Sequence, residues 1–81
     1  MKFGIKIKMR PVILDTQGRA VEETLQRQGF ELQSCKIGKY IEIEVPDTDE
    51  KTALEKVKKM TEFVLFNPLL ETFEIERLKA L

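Results

Sequence analysis

Histidine is absent from the 81 residues of this chain. With it go the commonest general base and the commonest metal ligand. Cysteine occurs once, at Cys35, so no disulfide can close within the chain, which suits a reducing compartment. No histidine is available to activate that thiol, and its spacing to Ile37 on a weak strand marks it as a packed structural residue. Net charge is also missing, because 14 Lys and Arg offset 14 Asp and Glu. A neutral chain lacks the basic surplus that a nucleic acid or an anionic membrane surface requires. No apolar run approaches the roughly 20 residues of a membrane span, and the opening MKFGIKIKMR holds no signal-peptide core. Neither a glycine-rich phosphate loop nor a GxSxG nucleophile elbow is found. These absences predict a cytoplasmic, non-catalytic domain with no cofactor or metal of its own.

What the chain does contain is regular patterning. Lys2 to Arg10 alternates, with Phe3, Ile5, Ile7 and Met9 on one side and Lys2, Lys6, Lys8 and Arg10 on the other, the period of a half-buried strand. Pro11 ends it. Asp15 is the expected N-cap of a helix to about Gln28, with Ala20, Val21, Thr24, Leu25 and Gln28 as its inner stripe and Gly29 closing it. Glu23 and Arg27 are spaced to pair on its outer side. Phe30 to Ile37 reads as a weak second strand, Gly38-Lys39 as a turn, and Tyr40 to Val45 as a strong strand with Ile41, Ile43 and Val45 inward. Asp47, Thr48 and Asp49 offer caps for a second helix from Glu50 to Phe66, whose inner stripe is Ala53, Leu54, Val57, Met60, Thr61 and Val64. Asn67-Pro68 breaks it, and Glu71 to Arg77 forms the last strand.

The predicted order is thus β-α-β-β-α-β in a single domain over residues 1–81. The outer face of the first strand is basic, while those of the third and fourth carry Glu42, Glu44, Glu74 and Glu76. Opposite charges on neighbouring strands attract, by about 0.2–1 kcal/mol per pair. The basic strand should therefore lie between the two acidic ones. That gives an antiparallel four-stranded sheet in the ferredoxin-like order 4-1-3-2, an α+β two-layer sandwich with both helices on one face. The carboxylates then belong to a solvated sheet face rather than to a catalytic pair, which needs burial or a cleft to separate its two pKa values.

Two features exceed what such a fold needs. Phe63-Val64-Leu65-Phe66, followed by Leu69-Leu70, is apolar on every side of its helix end. A two-layer domain buries only one side, so this run predicts a homo-oligomer, dimer or tetramer, with Phe63, Phe66, Leu69 and Leu70 at the contact. The competing reading tucks Phe63 and Phe66 over the open end of the core. The second feature is Asp15-Thr16-Gln17-Gly18-Arg19, where glycine enters the first helical turn at a cost of up to about 1 kcal/mol against alanine. Either another backbone comes close to Gly18 or the helix starts one residue later, with Gly18 as its cap.

Three segments together resemble the PurS family. They are RPVILDTQGRAVEETLQRQGF (Arg10 to Phe30), GKYIEIEV (Gly38 to Val45) and NPLLETFEIE (Asn67 to Glu76). They match, in order and spacing, a KPGVLDPQG-like segment, a GK-x-I-x-[LI]-E-V-like strand and an NP-x-[IL]-E-x-[YF]-x-[IV] ending. Thr16 departs from the usual proline and Val12 from the usual glycine. The resemblance implies a small subunit of phosphoribosylformylglycinamidine synthase, an enzyme of purine biosynthesis. There a large synthase subunit (PurL-like) binds ATP, magnesium and formylglycinamide ribonucleotide, and a glutaminase subunit (PurQ-like) releases ammonia. The PurS part helps assemble the two and carries no catalytic group.

In the expected topology the three matching segments meet at one end of the domain. Asp15, Gln17, Gly18, Arg19, Gly38, Lys39, Asn67 and Pro68 are therefore the expected partner-contact residues, against the plainer reading that they only form good loops. The same element order also occurs in ACT-type sensor domains, which bind amino acids at dimer interfaces. It occurs in RNA-recognition domains as well, but those need aromatic side chains on the open sheet face, and here only Tyr40 qualifies.

Overall fold

A computed structural model describes residues 1–79. The elements run β1 (Lys2–Met9), α1 (Thr16–Arg27), β2 (Lys39–Glu44), α2 (Glu50–Met60) and β3 (Glu71–Leu78), and α2 continues into a π-helical turn, Thr61–Leu65. β1 is the centre of an antiparallel sheet ordered β2-β1-β3. Register runs from Lys2 opposite Glu44 to Ile7 opposite Lys39 on one side, and from Lys2 opposite Leu78 to Met9 opposite Glu71 on the other. The basic strand thus lies between the acidic ones, as the charge pattern predicts. Its lysines reach diagonally: Lys2 pairs with Glu42 at 3.2 Å and Lys6 with Glu76 at 3.2 Å.

The inner face of the sheet and one side of α2 make the core. Phe3, Ile5, Ile7, Val45, Ala53 and Val57 are buried, with Ile41, Ile43, Leu65, Phe66, Phe73 and Ile75 packed against them. Each of the larger buried side chains contributes about 1.5–3 kcal/mol through apolar burial. Buried positions on α2 recur every four residues, at Ala53, Val57 and Thr61, with half-buried Leu65 next. An α-helix would drift off such a spacing; the wider π turn holds Leu65 on the core side. The predicted stripe is corrected accordingly. Leu54, Met60 and Val64 are exposed, the last at 70%.

Two larger expectations are corrected. Residues 30–38 form no strand, so the described sheet has three strands rather than the four of the ferredoxin-like order. The Ile37 N–H, which a sheet would have used, donates instead to Asp15 Oδ2 at 2.7 Å. Nor do both helices cover the sheet. Gly18 is the only buried residue of α1, and no α1 residue belongs to the core. Ala20, Val21, Thr24 and Gln28, meant for the interior, are exposed, and Leu25 is half-buried. The Cα radius of gyration is 16.1 Å and the shortest extent 15 Å. A compact chain of this length would have a radius near 12 Å. The fold is α+β, with α2 as the layer over the sheet and α1 standing apart.

The caps of α1 follow the sequence signals. Asp15 caps its start. At its end Gly29 takes φ +91°, its N–H bonds Gln26 O, and the Phe30 N–H reaches back to Leu25 O at 3.1 Å. That six-to-one bond is the Schellman closure, which favours glycine at the left-handed position. The expected Glu23–Arg27 pair is replaced: Glu23 lies 3.8 Å from Arg19, and Arg27 donates to Thr24 Oγ1.

Candidate functional site

At one end of the sheet, three chain segments are tied together by bonds from side chains to backbone. Asp15 Oδ1 accepts from the Gly18 N–H at 2.8 Å and Oδ2 from Ile37, which joins the start of α1 to the segment before β2. Arg10, at the end of β1, donates to Pro68 O through Nε at 3.1 Å and Nη2 at 2.8 Å. Lys39, opening β2, lies 3.3 Å from Glu71, opening β3. Glu71 also accepts from the Asn67 N–H at 2.8 Å, and Asn67 Oδ1 accepts from Leu69. The convergence expected of residues 15–19, 38–39 and 67–68 is present.

These bonds divide the expected contact residues into two groups. Asp15 and Gly18 are buried and act inward. A Cβ on Gly18 would collide with the Cys35 carbonyl oxygen, so of the two explanations for this glycine, the close approach of another backbone holds. Gly38 is held likewise, because a Cβ there would sit 2.5 Å from Ile7 O. Gln17, Arg19, Lys39, Asn67 and Pro68 are exposed. Of the apolar run, Phe63 and Leu69 are 89% and 80% exposed, and Leu70 is partly so. Phe66 instead packs edge-on against Phe73, with ring centroids 4.7 Å apart. The tucked reading therefore holds for Phe66 and fails for Phe63.

The electrostatics follow the same bonds. The Ile37 and Gly18 N–H groups hold the Asp15 carboxyl below its ordinary value. The Asn67 N–H, and then Lys39, do the same for Glu71. On the outer sheet face, Tyr40 reaches across β1 to donate to Glu76 at 2.9 Å, which raises the phenol and lowers the carboxyl. Gly4 lies under this ring, and a Cβ there would collide with the Tyr40 hydroxyl. Sequence reading missed this arrangement; the signal was a glycine within an otherwise regular strand.

Arg10 and Glu71 were also missed as members of the site. Alternation places Arg10 on the polar side of the first strand and Glu71 only at the start of the last, and only the fold shows them as ties. Beside them a cavity of 540 Å³ opens between the end of β1 and residues 36–40. Among the described residues, no group of three or more His, Cys, Asp or Glu could hold a metal ion.

A core on one side of a thin sheet, a helix standing outside it and an end bound up in polar ties define a small α+β association domain. The chain belongs to the PurS family: the family model described as PurS, phosphoribosylformylglycinamidine (FGAM) synthase, matches residues 2–79. It is 33% identical to the FGAM synthase subunit PurS of Thermotoga maritima over 95% of each chain. To the same subunit of a Synechocystis strain it is 37% identical, over 94% of this chain and 79% of the other. Among solved structures, the T. maritima PurS subunit superposes with a TM-score of 0.89, covering 95% of this chain and 90% of that one at 33% identity. A chain in a structure of PurLQS from T. maritima gives 0.89 at 33% identity, covering 95% of both.

Proposed function

We propose that this chain is the accessory subunit of an FGAM synthase, holding a PurL-type synthase subunit and a PurQ-type glutaminase together so that ammonia from glutamine reaches the amide it converts. The observation that carries the reading is family membership across residues 2–79, joined to the match with a chain of a PurLQS structure. ATP and magnesium then belong to the synthase subunit. The protein works in the cytoplasm, in keeping with its single thiol; no helix among the described residues is long and apolar enough to cross a membrane. The ACT-type alternative is set aside, because no observation here favours an amino-acid ligand.

Docking is assigned to the exposed part of the bound-up end, Gln17, Arg19, Gly38, Lys39, Asn67 and Pro68, with buried Asp15 and Gly18 shaping the surface beneath them. Arg19→Ala and Lys39→Ala test this. Loss of a desolvated charged contact across an interface costs about 2–5 kcal/mol, whereas a rim charge changes mainly the on-rate. Both variants should weaken assembly at limiting subunit concentration; Arg19→Ala should leave the melting temperature of the isolated chain nearly unchanged, and Lys39→Ala, which loses the Glu71 pair, should lower it slightly. Full glutamine-dependent synthase activity under those conditions would place docking elsewhere.

A further inference from the structure

β3 forms one edge of the sheet, and its backbone bonds are used on one side only. The Arg10 N–H donates to Leu70 O at 2.8 Å, and Val45 exchanges bonds with Met1. Successive residues of a strand alternate in the direction of their N–H and C=O groups. Carried along the register, the first bond turns Thr72, Glu74, Glu76 and Leu78 toward β1, and Phe73, Ile75 and Arg77 away from it. The second leaves Tyr40, Glu42 and Glu44 of β2 facing outward on the other side. β3 is the longer edge, eight residues against six. It has neither a proline nor a break in register, two of the usual guards of an open edge.

The side chains set the kind of strand that can join this edge. On the core side Phe73 and Ile75 are half-buried, and Leu69, just before the strand, is 80% exposed. On the outer side stand Thr72, Glu74 and Glu76. Glu76 is held by Lys6 and Tyr40. Glu74, opposite Lys6 and diagonal to Lys8, makes no ion pair among the described residues. The matching strand is therefore apolar on one face and basic on the other, as β1 itself is. A second copy of this chain matches less well. Every antiparallel register that overlaps most of two β3 strands sets Glu74 or Glu76 opposite or diagonal to a glutamate of the other copy. An antiparallel ladder with the second copy's β2 fails on geometry. The outward N–H groups belong to core-side residues on β3 and to outer-face residues on β2, so bonding them turns the second core to the opposite face. A parallel ladder brings Glu42 and Glu44 against Glu74 and Glu76. Lys2 offsets Glu42 and Lys6 offsets Glu76, but Glu44 and Glu74 stay unmatched among the described residues.

We infer that the free edge of β3 takes up, as an added strand, an extended segment of another protein that is basic at alternate positions and apolar between them. The inference goes beyond the subunit reading and stands or falls without it. The test uses the acetylated, amidated peptide Lys-Val-Lys-Val-Lys-Val-Lys. It is titrated into the full chain at low salt, and amide hydrogen exchange is followed residue by residue by NMR. At saturation the amides of Phe73, Ile75 and Arg77 should exchange at least about tenfold more slowly, and those of Tyr40, Glu42 and Glu44 should not change. The same peptide with Glu in place of Lys should leave both sets unchanged. Glu74→Lys, at an exposed position, should weaken binding of the basic peptide by about three- to tenfold. Arg77→Pro removes one outward N–H and an exposed ion pair with Glu50, so it should fold and bind poorly. No slowing at Phe73, Ile75 and Arg77, or slowing on β2 instead, overturns the proposal. Equal binding of the acidic peptide overturns it as well. If these amides are already slow without peptide and Arg77→Pro breaks up a homo-oligomer in light scattering, a second copy fills the edge and the proposal is wrong.

Discussion

Asp15 does two tasks with one carboxylate. One oxygen caps α1, and the other turns the Ile37 N–H away from the sheet. The first task was legible, because Asp before a helical pattern is a known cap. The second was not, because nothing in the local pattern links positions 15 and 37. The folded carboxyl titrates below its ordinary value of 3.8, so its contribution to stability is fully present above that value and is lost as the pH falls through the folded one. Asp15→Asn, which carries no titrating carboxyl, should lower the urea midpoint at about pH 7 and flatten the loss of stability between about pH 5 and about pH 2. An unchanged acid limb in the variant would assign that loss to other carboxylates. Gly18 belongs to the same scale. Its cost inside a helical turn was visible in the sequence, and the Cys35 carbonyl explains why the cost is accepted.

The two helices have comparable amphipathic patterns and different fates. Ala53 and Val57 of α2 are fully buried under the sheet, while the corresponding face of α1 meets solvent. Periodicity reports that a helix has an apolar side and says nothing about which surface covers it. The contrast is measurable in dilute monomer. Val57→Ala should cost about 2–3 kcal/mol, the usual range for emptying a buried aliphatic site. Leu25→Ala should cost less than about 1 kcal/mol, as at half-exposed sites. Equal losses in chemical unfolding would mean that α1 packs on its own sheet after all. The predicted second strand failed at this scale as well. A weak alternation over residues 30–37 could not outweigh a Schellman closure at one end and the Asp15 bond at the other.

The molecule as a whole is thin and long for its length, and its most exposed apolar residues lie in the loops around α1 (Val12, Leu14, Phe30), on the π turn and in the loop before β3. So small a domain buries only roughly 60–65% of its unfolded surface, and association is a common remedy. Phe63, on the π turn, is 89% exposed. Light scattering at micromolar concentration should therefore show at least a dimer. Phe63→Asp should shift it toward monomer, and it is a better probe than Phe66, which packs on Phe73. A monodisperse wild-type monomer would remove Phe63, Leu69 and Leu70 as an oligomer contact.

By itself the sequence determined the five elements that form, the caps of α1, three candidates that include the α2 cap Asp49, the central place of the basic strand and the family. Each of these rests on short-range patterns or on charge between neighbouring strands, which act wherever the chain goes. Tertiary structure alone decided that α1 stands off the core and that residues 30–38 leave the sheet. It also decided that Arg10, Lys39 and Glu71 tie three distant segments together. Those outcomes depend on which groups meet across long separations, and nothing local in the sequence marks the bond between Asp15 and Ile37, 22 positions apart.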